Sequence, residues 1–274
     1  MVDSASDYTP EEIRQKEMEL VPIRITMADA SYTDGVNLER NDFYRILTET
    51  KDFPKTSQPS PQDFLEAFRR AKQRGDTLIC ILLSSALSGT YQSAMLAKTM
   101  VEYDKIYLID SLSATCSIKI MADYAWQLAA DGHAAEEIVH TIEQLKPRVK
   151  VIAALDTLEY LQRGGRIGRT TAAIGEMTNL KPLITLTANG EVSVLEKCFG
   201  KNKAISHILS HLQEHGADRR FPLYTLYTYG TANCEKLEQK LSASGHTPDD
   251  RLQVGATIGA HIGPEAFGIL FVEK

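Results

Sequence analysis

The chain has 274 residues, of which 43% are hydrophobic and 24% charged, with a net charge of −6. This composition supports a buried core rather than disorder, and the length is long for one core and comfortable for two. The acidic balance argues against a general nucleic-acid binder, and no leader or apolar run of about 18 residues occurs, so neither a signal peptide nor integral membrane association is expected.

Val21–Met27 reads as a strand, followed by a helix opened by Asn37 or Asp42 with Phe43, Ile46 and Leu47 at helical spacing. Lys55–Pro61 reads as a loop because of its two prolines. Ser60 is then an N-cap and Pro61 the first residue of a helix that runs to about Arg74 and stops at Gly75. Asp76–Leu83 is a continuous apolar run of the kind buried on both faces of a parallel sheet. A loop from Ser84 to Thr90, a helix from Tyr91 to about Tyr103, a strand Lys105–Asp110 and a long helix with Met121, Ala125 and Leu128 follow. Strand, loop and helix recur three times, which predicts a parallel, doubly wound sheet.

After Lys146-Pro147 the pattern changes. Leu183–Thr187, a turn at Ala188-Asn189-Gly190, and Glu191–Phe199 predict a hairpin, because Asn-Gly suits its tight turn. A helix to about Gly216, a strand Pro222–Tyr229, a helix Ala232–Ser244, a short strand near Arg251–Gly255 and a final strand Phe267–Glu273 complete the chain. The expected architecture is an α/β domain over residues 1–147, three-layered with a mostly parallel sheet, and an α+β domain over 148–274 with a mostly antiparallel sheet.

The four cysteines, Cys80, Cys116, Cys198 and Cys234, lie far apart with no C-x-x-C pair. That excludes the common zinc and redox spacings, so no metal is expected. Scattered, reduced thiols fit a cytoplasmic protein.

Ligands of open α/β sheets sit outside the carboxyl ends of the strands. Three polar segments are candidates for meeting there: Thr56-Ser57-Gln58, Ser84 to Thr90, and Gly259-Ala260-His261-Ile262-Gly263-Pro264. Short hydroxyls and an imidazole are good donors for an anionic head group. Thr56 and Ser57 equally fit turn and cap residues, and Ser88-Gly89 an ordinary strand-to-helix turn. His261 lies between two glycines with no apolar helix face in view, although a purely structural histidine also fits there. Leu158–Arg169 carries Arg163, Arg166 and Arg169 at spacing three with three glycines. It lacks both the G-x-G-x-x-G pattern and the Walker lysine–serine pair, so a solvated basic patch for an acidic partner suits it at least as well as a phosphate site.

Five segments in order resemble the DegV family: Asp3-Ser4 with Asp7; Lys55–Ser60; Ser84-Ser85-x-Leu87-Ser88-Gly89-Thr90-Tyr91-Gln92-Ser93-Ala94; Arg163-Gly164-Gly165-Arg166-Ile167; and Gly259-x-His261-x-Gly263-Pro264. The resemblance implies a protein that is not an enzyme, uses no cofactor and has no catalytic residues. It would hold one long-chain fatty acid such as palmitate, stearate or oleate in a buried tunnel and present it to a partner kinase that makes an acyl phosphate. Thr56, Ser88 and His261 would bind the carboxylate, with Ser57, Gly89, Thr90 and Gly263 beside them. Arg163, Arg166 and Arg169 would lie near the opening, toward the kinase or the acyl phosphate. Two alternatives are a serine hydrolase using Ser88 and His261, for which there is no G-x-S-x-G elbow, and a binding module for a non-lipid small molecule.

Two departures from the family pattern stand out. Only Met1 and Val2 precede Asp3, so a curtailed first strand with an exposed neighbouring edge is expected. Glu265 follows Gly263-Pro264 where the family commonly has glycine, placing a carboxylate near the expected head-group site.

Overall fold

The computed structural model describes residues 1–50, 53–168 and 179–274. The protein is a mixed α/β structure with three sheets among these residues.

The first sheet is wholly parallel, in the order β2-β1-β6-β7. Its strands are β1 (Val2–Asp3), β2 (Leu20–Val21), β6 (Leu78–Leu82) and β7 (Ile106–Asp110). The first strand, expected to be curtailed, does not leave a neighbouring edge open. Val2 lies between Leu20 and Ile81, and the Met1 amino group and carbonyl extend the ladder to Ile79 and Ile81. Helix α1 (Pro10–Gln15), absent from the sequence reading, separates β1 from β2 and is opened by a Thr9–Glu12 capping box.

The run expected as one strand, Val21–Met27, is two. Pro22 has no N–H to give a ladder. Val21 stays in the parallel sheet, while β3 (Arg24–Met27) pairs antiparallel with β4 (Ala30–Thr33) and β5 (Lys55–Ser57) in a small sheet. The segment expected as a loop from Lys55 is therefore a strand up to Ser57; its prolines bar pairing only beyond that point. Helix α2 (Arg40–Glu49) lies between β4 and β5. Helix α3 (Pro61–Arg74) has the expected Ser60 cap and Pro61, reinforced by Asp63, and ends at a left-handed Gly75. Helices α4 (Thr90–Val101), α5 (Cys116–Ala130) and α6 (Ala135–Leu145) follow; α4 and α5 each succeed a parallel strand.

The second large sheet has the order β10-β9-β8-β13-β11-β12, antiparallel except for the β11–β12 pair. It comprises β8 (Val149–Ala154), β9 (Leu180–Leu186), β10 (Val192–Phe199), β11 (Tyr224–Tyr227), β12 (Asp250–Gln253) and β13 (Phe267–Val272). The expected hairpin is β9–β10, turned at Asn189 and a left-handed Gly190. Helix α7 (Glu159–Arg163) follows β8, and α8 (Lys201–His215) and α9 (Ala232–Ala243) pack behind the sheet. The segment around His261, read as a loop, is the end of helix α10 (Ala256–Ile262), whose Ala256 and Ala260 pack on Phe43 and Tyr44. Glycines at its margin disguised a short helix that packs on Phe43 and Tyr44 through alanines.

Candidate functional site

A cavity of about 380 Å³ opens between the two large sheets, within the usual range for small-molecule sites. Leu83, Leu87, Ile184, Leu226, Ile258 and Phe267 supply much of its apolar wall. Thr56, Ser57, Gln58, Ser88, Arg166 and His261 are polar residues on the same wall.

Separate short contacts position these polar groups. Thr56 Oγ1 and His261 Nε2 share a hydrogen bond of 2.8 Å. His261 Nδ1 is buried and has no hydrogen-bond partner among the described residues. That edge of the ring lies against Gly164: a methyl there would sit 2.9 Å from His261 Cε1 and closer still to Nδ1. Two residues on, Arg166 donates to the carbonyls of Gly164 and Leu87, the latter from Nε at 3.0 Å. Ser88 Oγ shares a 2.8 Å bond with Thr90 Oγ1. At Gly89, a side chain would meet Gln58 Cδ at 2.6 Å, so glycine lets Gln58 reach Ser93 Oγ.

Electrostatics follow from burial. Loss of solvent, and secondarily the Arg166 guanidinium, bring the His261 imidazole down to about 4. It is therefore neutral near pH 7, and Arg166, itself lowered by burial, supplies the fixed positive charge. One cation with hydroxyl, amide and imidazole donors suits a single carboxylate head group.

The residues named from sequence divide by place. Thr56, Ser57, Ser88, His261 and Arg166 reach the cavity wall. Thr90 is fully buried behind Ser88. Gly89 and Gly263 act through the space they leave; Gly263, at φ +77, lies where a side chain would strike the Tyr160 ring at 2.6 Å. Arg163 points elsewhere, paired with Glu159 at 2.8 Å and stacked 4.1 Å over Phe53. Arg169 lies outside the described residues. Glu265 faces away, toward Lys201 at 2.9 Å.

The N-terminal Asp3-Ser4 and Asp7 hold the loops that carry the site. Asp3 accepts from Leu83 N at 2.7 Å, at the start of the Ser84–Thr90 loop. Asp7 accepts from Gly255 N at 2.9 Å and from the Thr115 hydroxyl; Asp34 accepts from Thr257 N at 3.1 Å, and Ser4 Oγ bridges Ile23 N and Thr257 Oγ1. Both Gly255 and Thr257 are at the start of α10. Burial pushes the Asp3 carboxyl up to about 7 and the Asp7 carboxyl up to about 6, and raises Asp34. These acids keep protons that the unfolded chain releases above about pH 4, so their contribution to stability shrinks as pH rises from there to about 7. Ser84 Oγ donates to Gly190 O at 2.9 Å, docking the hairpin tip on the first half of the chain. Sequence reading missed Gly164 as a site-shaping residue, and placed Gln58 in a candidate segment without giving it a role of its own.

No helix among the described residues is long and apolar enough to cross a membrane. A family model described as "Uncharacterised protein, DegV family" matches residues 1–274. A DegV domain-containing protein of Caldanaerobacter subterraneus subsp. tengcongensis is 37% identical, with 100% of this chain and 98% of that protein covered. A solved structure described as showing fatty acid binding of a DegV family protein from Thermus thermophilus superposes with a TM-score of 0.89 at 30% identity, covering 100% of this chain and 98% of that one. DegV of Bacillus subtilis, described as a fatty acid binding protein, gives 0.85 at 28%, with 100% and 98% covered. A stearic acid-binding protein of Eubacterium ventriosum gives 0.89 at 25%, with 100% and 97% covered. The chain belongs to the DegV family.

Proposed function

We propose that this protein binds one long-chain fatty acid in the cavity between its large sheets, with the carboxylate at Thr56, Ser88 and His261, and presents it to a kinase that phosphorylates that carboxylate. The observation that carries the reading is the meeting of three side chains, distant in sequence, on the wall of one largely apolar cavity. The fatty acids bound by the Thermus, Bacillus and Eubacterium relatives support the ligand class. A tail of about 15 methylenes contributes on the order of 12 kcal/mol of gross burial, part of it lost to ordering, so the tail supplies affinity and the polar groups set direction. Arg166 offsets the carboxylate charge while His261 stays neutral. For the kinase, the supporting feature is the exposed Met95, Leu96 and Met100 of α4, the helix that begins just after Ser88-Gly89.

The hydrolase reading is less well supported. The hydrogen bond of His261 Nε2 goes to Thr56, that of Ser88 goes to Thr90, and no carboxylate orients His261 Nδ1 among the described residues. Native mass spectrometry of the protein purified from a bacterial host tests the proposal. A bound mass equal to one fatty acid is expected. A ligand-free protein that takes up neither palmitate nor oleate would overturn it.

A further inference from the structure

We propose that Glu196, Cys198 and His207 form a binding site for a divalent metal ion of the zinc class, on the face of the six-stranded sheet opposite the ligand cavity.

The backbone builds the site. Val192 and Val194 of β10 pack with Ile184 on the cavity side. Unbroken alternation would place Glu196 and Cys198 on that same face. The register instead slips: Val194 faces Ile184 and Glu196 faces Leu183, leaving Leu195 as an extra residue, exposed to solvent. Such a bulge re-aims the side chains that follow it. Glu196 and Cys198 consequently turn toward α8, where Cys198 joins the core with Ala204, Ile208 and Leu212. His207 and His211 stand four residues apart on α8, one turn above each other on one face.

Donor atoms of Glu196, Cys198 and His207 all lie within 4.8 Å of one another. His207 Nδ1 bonds one oxygen of the Glu196 carboxylate, and His211 Nε2 lies 3.2 Å from the other. His211 thus holds the Glu196 carboxylate from outside the ligand set, the kind of outer partner that orients a ligand. The cluster therefore offers one sulfur, one nitrogen and one carboxylate oxygen, with a fourth position open to water. That set fits tetrahedral zinc and does not fit calcium or magnesium, which want oxygen alone. The sulfur is fully buried, whereas Glu196 and His207 are about a third exposed, so the site is closed behind and open to solvent in front. On binding, the thiol proton goes to solvent and the thiolate becomes a ligand. The ion would pin the edge strand β10 to α8. The cysteine spacings had argued against a metal because the ligands here are one E-x-C on a strand and one histidine on a helix.

The test uses the full chain stripped with a chelator and titrated with Co2+, whose bond to a thiolate gives a charge-transfer band. One equivalent of Co2+ with that band, displaced by Zn2+, is expected. Cys198→Ser should abolish the band, and His207→Gln should weaken Co2+ binding at least tenfold. If buried Cys198→Ser fails to fold, the partly exposed His207→Gln decides. Absence of a thiolate band in the parent protein, or unchanged Co2+ affinity in His207→Gln, would overturn the site and leave the cluster as ion pairs only.

Discussion

Gly164→Ala separates the shape of the site from the stability of the fold. Gly164 has φ −72° and ψ −12°, a conformation open to any residue. In open space the change to alanine would stabilise the protein by about 0.4–1 kcal/mol through the unfolded chain. Here the new methyl would lie 2.9 Å from His261 Cε1, closer to Nδ1, and 3.1 Å from the Tyr160 carbonyl. The imidazole must retreat by about 1 Å to restore ordinary contact. Its 2.8 Å bond to Thr56 does not survive such a shift, and the donor is no longer aimed at the carboxylate. A hydrogen bond to a charged group is worth about 1.5–3 kcal/mol, so Kd should rise about 10- to 150-fold. The assay is displacement of a fluorescent fatty acid from delipidated protein by oleate, with urea unfolding run in parallel. Gly165→Ala is the control. At φ +73 with open space around it, the added methyl should cost about 1 kcal/mol of stability and leave Kd nearly unchanged. Unchanged affinity in Gly164→Ala, with raised stability, would refute the placement of His261 in the head-group site.

Ser88→Ala and His261→Ala should each weaken oleate binding by about tenfold or more, with circular dichroism unchanged; parent-like affinity in both would move the head group elsewhere. Arg166→Gln should weaken oleate retention as well as any transfer to a kinase, since Arg166 lies in the cavity wall, while Arg163→Gln should leave retention intact by the same displacement assay. For pH, the His261 imidazole is depressed to about 4 against 6.5 in the unfolded chain, so the unfolded state takes up a proton first and this contribution to stability is lost as pH falls between those values. Relative to parent, His261→Ala should gain up to about 3 kcal/mol between pH 7 and pH 4 in urea unfolding, and a relative loss would contradict the assignment. Glu265 sits at φ +74, so Glu265→Gly should stabilise by about 1 kcal/mol at the cost of exposed contacts with Lys201 and Asn233, and a fall in Tm would contradict this.

Legibility in the sequence followed the range of the interactions. Ser60, Pro61 and Gly75 mark the ends of α3 through contacts within one turn, and Asn189-Gly190 marks the hairpin for the same reason. The buried runs at Leu78–Leu82 and Ile106–Asp110 announce parallel strands through composition alone. What escaped was decided by partners far along the chain. Pro22 splits one apolar run between two sheets, and nothing local says that both have room for it. Helix α10 was read as a loop because glycines flank it and the face that packs on Phe43 and Tyr44 consists of alanines. At the site, hydroxyls and an imidazole were visible as residue types, and the motifs put them in order. Their setting also depends on Gly164 and Gln58, whose roles lie in clearance and reach, quantities with no sequence signature. The bulge at Leu195 is equally silent, since one residue slipped in register leaves the composition of β10 unchanged.

The most direct measurement is a crystal structure of the delipidated protein soaked with oleate. The account expects an extended tail along Leu83, Ile184, Leu226 and Phe267, with its carboxylate within hydrogen-bond distance of Thr56, Ser88 and His261. A carboxylate at the opposite end of the cavity, or a lipid bound outside it, would contradict the account.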